Sequence, residues 1–130
     1  MKHTLQSLIL FLISAALLGC SSAPTKKGAD AWLGYTEKGK ATFYADKHEN
    51  KKTASGALYQ HELKTAAHRT IPFGAKIEVT NIHNGKSVVV VVNDRGPFVN
   101  GRIVDLSKSA FSGIGNTSLG LLNVQIEVIE

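Results

Sequence analysis

The sequence predicts a small, mainly β domain closed into a barrel, with one short helix, on three observations. Short stretches of apolar–polar alternation recur between residue 39 and residue 130. Clusters of Gly, Pro, Asn and Asp separate them, and no long amphipathic helical period runs through them. Closing such strands on themselves removes the exposed edges that would otherwise pair with neighbouring molecules.

The chain is expected to divide into three parts. Residues 1–19 carry Lys2 and then the charge-free run Leu5 to Leu18, the pattern of an export signal whose apolar core is too short for a comfortable membrane span. Residues 20–38 are rich in Ser, Lys, Gly and Ala and read as a tether, interrupted by Trp32 and Tyr35, whose rings are expected to pack its end on the domain. Residues 39–130 form the domain itself. Cys20 is the single cysteine, so the domain must hold together without an internal disulfide.

Within the domain, Lys40 to Tyr44 and Lys76 to Thr80 alternate as half-buried strands do. Asn84-Gly85 is a hairpin signal leading into Ser87 to Val92, whose unbroken valines predict burial on both faces. Ile103 to Leu106 reads as a short strand. Ser107 reads as the N-cap of a helix through Ile114, with Gly115 as its stop, and Leu122 to Ile129 alternates as a last strand.

The full chain has a formal net charge of +5, and removal of residues 1–19 takes away Lys2 alone, leaving +4. That excess suits an acidic polymer and is equally explained by solubility. Nucleic acid is excluded as a partner by the exported compartment.

Chemistry is expected where Lys64 to Gly74 and Val92 to Pro97 place His68 and Asp94 at strand ends beside tight turns, as a candidate acid/base pair within hydrogen-bond reach. Each residue has a plainer reading: Asp94 as a turn former ahead of Gly96-Pro97, His68 as a hydrogen-bonded barrel residue. Arg95 should point to the opposite face from Asp94. Asp105 is a candidate second carboxylate, although its place before Ser107 fits the helix start or a pairing with an arginine better. Glu62 and His61 are expected to be solvated. His48, His61 and His68 match no local zinc-ligand spacing, so neither metal nor cofactor is expected.

The ordered set Lys52-Thr53-Ala54-Ser55-Gly56, Thr65-Ala66-Ala67-His68, Ile71-Pro72-Phe73-Gly74, Val79-Thr80-Asn81, Asn84-Gly85-Lys86-Ser87, Val92 to Phe98 and Gly101 to Ser107 resembles the rare lipoprotein A (RlpA) family. Leu17-Leu18-Gly19-Cys20 is similar to a bacterial lipobox, which implies acylation of Cys20 and, with Ser21 following, the periplasmic face of the outer membrane. The resemblance implies a six-stranded double-psi β-barrel. It also implies lytic transglycosylation of peptidoglycan glycan strands, between N-acetylmuramic acid and N-acetylglucosamine, with a 1,6-anhydro product.

The family's catalytic aspartate and histidine fall on Asp94 and His68. A third functional position, a glutamate in the family, is Ala57 here. Read from the residues alone, Tyr44 and Tyr59 either line a saccharide groove or pack in the barrel, Thr53, Ser55 and Asn93 either hydrogen-bond sugars or satisfy their own turns, and Arg95 is structural or contacts the glycan. Larger members carry a C-terminal sporulation-related repeat that binds denuded glycan; with the sequence ending at Glu130, targeting is expected from barrel, tether or a partner. The alternative reading, from the missing glutamate, is a non-catalytic, expansin-like glycan-binding or envelope-organising lipoprotein.

Overall fold

The computed structural model describes residues 27–130. The segment 1–19 read as an export signal, Cys20 and the first part of the segment read as a tether lie outside the described residues. One helical turn, α1 (Lys27–Asp30), precedes six strands: β1 (Thr36–Phe43), β2 (Thr65–Ala67), β3 (Lys76–Asn81), β4 (Ser87–Asp94), β5 (Arg102–Leu106) and β6 (Leu122–Val128). Helix α2 (Lys108–Ile114) lies between β5 and β6. The strands close into a barrel in the order β1-β5-β2-β4-β3-β6. β1 with β5 and β2 with β4 are parallel pairs, and the remaining neighbours are antiparallel.

Alternation explains most of this. β3 and β6 bury every second residue, so Ile77, Val79, Val124, Ile126 and Val128 meet inside the barrel with Val90, Val92, Val104 and Leu106. Each such side chain contributes roughly 1.5–3 kcal/mol on leaving water. β4 corrects the expectation of burial on both faces: Val90 and Val92 are buried while Val89 is 42% exposed. In a closed single-layer barrel a strand has one inner and one outer face, so an unbroken valine run puts half its members outside.

Two further elements depart from the sequence expectation. β1 begins at Thr36, inside the segment read as tether, because Thr36, Glu37 and Lys38 pair with Glu127, Ile126 and Gln125 of β6. β2 is only three residues long, too short for a periodic signal, and is held by β4 and β5 on its two sides. As expected, Trp32 packs on the core, edge-to-face with Tyr35 at 5.0 Å between ring centroids.

Ser107 caps α2 by accepting the Ala110 N–H at 3.3 Å. Gly115 ends it in an extended conformation rather than a left-handed one. Close approach favours glycine there, since a Cβ would sit 2.7 Å from Leu122 Cδ1 and push that side chain aside. The end of β3 and the turn after it cap the same helix end from outside: Asn81 and Asn84 both donate side-chain amides to the Ile114 carbonyl, at 2.8 and 2.9 Å.

Candidate functional site

Strand register assembles the site. Thr42 of β1 lies opposite Asp105 of β5, Asp105 opposite Ala67 of β2, and Ala67 opposite Asp94 of β4. Two carboxylates therefore stand in one row, two strand spacings or roughly 10 Å of backbone apart, with only the methyl of Ala67 between them. Above this row opens a groove of about 460 Å³, walled by Tyr44, His48 and Arg95 and by the segment Gly96 to Val99.

Asp94 accepts three hydrogen bonds: from the Tyr44 hydroxyl at 2.6 Å on Oδ2, and from the N–H groups of Ala54 at 2.8 Å and Arg95 at 2.9 Å on Oδ1. Hydrogen-bond donors, not apolar groups, thus surround the carboxylate. Burial, reinforced by the hydrogen bond to Asp94, raises the Tyr44 hydroxyl above its ordinary value, so it stays protonated and donating. Tyr44 stacks on buried Tyr59 at 4.2 Å between centroids. Tyr59 is thus a wall behind the groove residue, the packing alternative of the two expected for it.

His68 does not reach Asp94 with its side chain. Its Nε2 meets Glu37 Oε2 at 2.9 Å, and its Nδ1 accepts the N–H groups of Thr70 and Ile71, both at 3.1 Å. With Nδ1 accepting, the ring proton sits on Nε2 and is donated to Glu37. The cause is register: Ala67 is the residue paired with Asp94, so His68, one step on, turns its ring to the other side. Only its backbone N–H touches the aspartate residue, donating to the Asp94 carbonyl at 3.2 Å. Burial lowers the His68 pKa, with Arg69 and Arg95 acting in the same direction, while Glu37 opposes them.

The other expected contacts divide between groove and scaffold. Thr53 donates to the Ala57 carbonyl at 2.8 Å and meets Ser55 Oγ at 3.0 Å, so these hydroxyls shape their own turn. The Asn93 carbonyl accepts the Ser55 N–H at 3.2 Å, and none of the three residues lines the groove. Arg95 donates to the carbonyls of His68 and Ile71 at 3.1 and 2.7 Å and lies 3.9 Å over the Phe73 ring. It points away from the Asp94 carboxylate, as alternation requires. His61 is not solvated: Nδ1 meets the Tyr59 hydroxyl at 2.6 Å and Nε2 meets Asp46 at 2.9 Å.

Two groove or near-groove residues, Glu37 and Phe98, escaped sequence reasoning as site members, and a third, Asp105, is the candidate second carboxylate. Asp105 is held through Oδ1 by the Thr42 hydroxyl and by Arg102 Nη2 at 3.4 Å, fulfilling the arginine pairing while also facing the groove. Glu37 lay in the segment read as tether, with no signal beyond its place between exposed neighbours. Phe98 stood inside a recognised motif without a role. Among the described residues no cluster of three or more His, Cys, Asp or Glu side chains is placed to hold a metal.

The family model described as lytic transglycolase matches residues 36–126, which include nearly all of the barrel. The chain belongs to the RlpA family of double-psi β-barrels. It is 51% identical over 96 residues to an endolytic peptidoglycan transglycosylase RlpA of Vibrio cholerae, covering 74% of this chain and 36% of that one. A Pasteurella multocida protein of the same name is 47% identical over 97 residues, covering 75% and 33%. The chain thus spans about a third of the length of these RlpA relatives.

Among solved structures, the Streptomyces papain inhibitor superposes with a TM-score of 0.63 at 21% identity, over 75% of this chain and 97% of that one. A point mutant of Clavibacter michiganensis expansin, in complex with cellohexaose, superposes with a TM-score of 0.57 at 21% identity, over 74% and 51%. Likeness at this identity shows the barrel fold that these proteins share with the RlpA domain.

Proposed function

We propose that this protein is a lytic transglycosylase of peptidoglycan glycan strands, anchored in the cell envelope through acylated Cys20 at the periplasmic face of the outer membrane. The observation that carries the reading is Asp94. Its carboxylate is held by Tyr44 and two backbone amides at the edge of a groove wide enough for a sugar, in a chain about half identical to endolytic peptidoglycan transglycosylases over the barrel.

Asp94 takes a proton from solvent and delivers it to the glycosidic oxygen as the bond from that oxygen to C1 of the muramic acid breaks. The C6 hydroxyl then attacks C1, and its proton passes to Asp94, leaving a 1,6-anhydro ring and the aspartate ready to repeat the cycle. No second carboxylate nucleophile is required, because the C6 hydroxyl of the substrate takes that part. Tyr44 orients the acid/base. His68 is a positioning residue: its ring and Glu37 pin the 68–71 turn, and its N–H holds the Asp94 backbone.

A second reading, a glycan-binding lipoprotein without turnover, is favoured by exposed Ala57, which brings no carboxylate to the loop that holds Asp94. Mass spectrometry of denuded glycan after incubation separates the two. The wild type is expected to release anhydro products, and Asp94→Asn to fall to background while retaining glycan binding and its melting temperature. Ala57→Glu should raise turnover relative to Ala57→Gln, which adds similar bulk without the charge. Equal product from wild type and Asp94→Asn refutes the acid/base role; no product from wild type or Ala57→Glu, on glycan that another lytic enzyme cleaves, establishes the binding protein.

A further inference from the structure

Among the described residues Phe98 is the most exposed large hydrophobic side chain, at 80%, and it stands on the wall of the Asp94 groove. Single exposed apolar residues are common on protein surfaces and by themselves need no explanation. Three features set this one apart. Val99 beside it is 51% exposed and lines the same groove, so the two form a continuous apolar shelf.

The second feature is the backbone beside it. Gly96 has φ of 123°, a region that side chains rarely adopt, and a Cβ there would lie 3.7 Å from Phe98 Cε2. The ring edge therefore lies beside Gly96, at a distance where even a Cβ would only touch it. The third is the ring's neighbour: the same Cβ position is 4.0 Å from Asp105 Oδ2, an oxygen to which no donor among the described residues is directed. An apolar ring and an unengaged acceptor border one gap.

A pyranose presents that pair of demands, with C–H groups on its faces and hydroxyl or acetamido donors around its edge. We propose that Phe98 is the stacking platform of the groove, holding one sugar of the glycan strand by its C–H face, with Val99 extending the contact and Asp105 Oδ2 accepting from an edge donor. This deepens the transglycosylase reading of the same groove and rests on it for the identity of the glycan. The ring contributes affinity and placement; it moves no proton.

Binding is to be measured on the intact folded protein with sacculi stripped of stem peptides, in the Asp94→Asn background so that turnover cannot alter the ligand. Phe98→Ala should weaken binding about tenfold, equivalent to about 1.4 kcal/mol. Phe98→Trp and Phe98→Tyr should restore it, and Phe98→Leu, apolar without a flat face, should not. Melting temperatures should stay within a degree or two of the parent, the side chain being 80% exposed. In the active background Phe98→Ala should raise KM and leave kcat within about twofold.

Undiminished glycan binding by Phe98→Ala overturns the proposal, as does rescue by leucine equal to that by tryptophan, or a parent that binds no glycan. Loss of binding in Phe98→Ala with aromatic rescue, in a protein whose wild type yields no anhydro product, upholds the platform and removes the transglycosylase.

Discussion

His68 shows how a recognised side chain can act at one remove. It is 2% exposed, its ring proton is fixed by two amides on the opposite nitrogen, and burial holds its pKa below the ordinary 6.5. Well above pH 6.5 it is neutral in both folded and unfolded chains and adds no pH dependence. Below that value the unfolded chain binds a proton that the folded one refuses, so stability falls as pH is lowered toward the folded-state pKa. Urea midpoints measured from pH 7.5 to pH 5 should therefore decline in the wild type and decline less in His68→Gln, whatever the variant's absolute stability. Parallel slopes would show that His68 titrates alike in both states. The residue types at positions 68 and 94 were legible from motif and turn chemistry. Their separation was not, because it depends on which residue of β2 faces β4.

At the scale of elements, α2 and the β3–β4 hairpin stabilise each other through one backbone carbonyl. Ile114 ends the helix with a C=O that has no helical partner, and Asn81 and Asn84 supply it with two donors. Asn81 is 4% exposed, so removing its amide strands buried polar groups. Asn81→Ala should cost about 1–3 kcal/mol in chemical denaturation, and Asn84→Ala less, since its bond is nearer to solvent. Phe111 anchors the other side of the helix, fully buried and 4.7 Å from Phe43 between ring centroids. The hairpin signal at Asn84-Gly85 and the cap at Ser107 were readable locally. The bond that joins them spans 33 residues and was not.

For the whole molecule, closure decides where the domain begins. β1 and β6 pair from Thr36 with Glu127 to Ala41 with Leu122, and this seam joins the first and last strands of the barrel. A chain beginning at Lys40 would lose more than half of that seam together with the Glu37 acceptor of His68. A chain beginning at Ala31 would keep both and the Trp32 contact with the core. Thermal unfolding should be cooperative for the longer chain and shifted down by roughly ten degrees or more, or absent, for the shorter. Equal melting temperatures would place the domain boundary at residue 39 after all.

What the sequence determined by itself is what short-range physics controls: β strands from period-two alternation, the helix from its cap, the turns from Gly and Asn, and the candidate acid from its motif. Tertiary structure decided the rest. Register across a closed sheet set Asp105 in the row of Asp94 and turned His68 toward Glu37, and the β1–β6 seam drew three residues of apparent tether into the barrel. These outcomes follow from pairing between strands far apart in the chain, where a shift of one residue reverses every side chain, and no local pattern of residues encodes that choice.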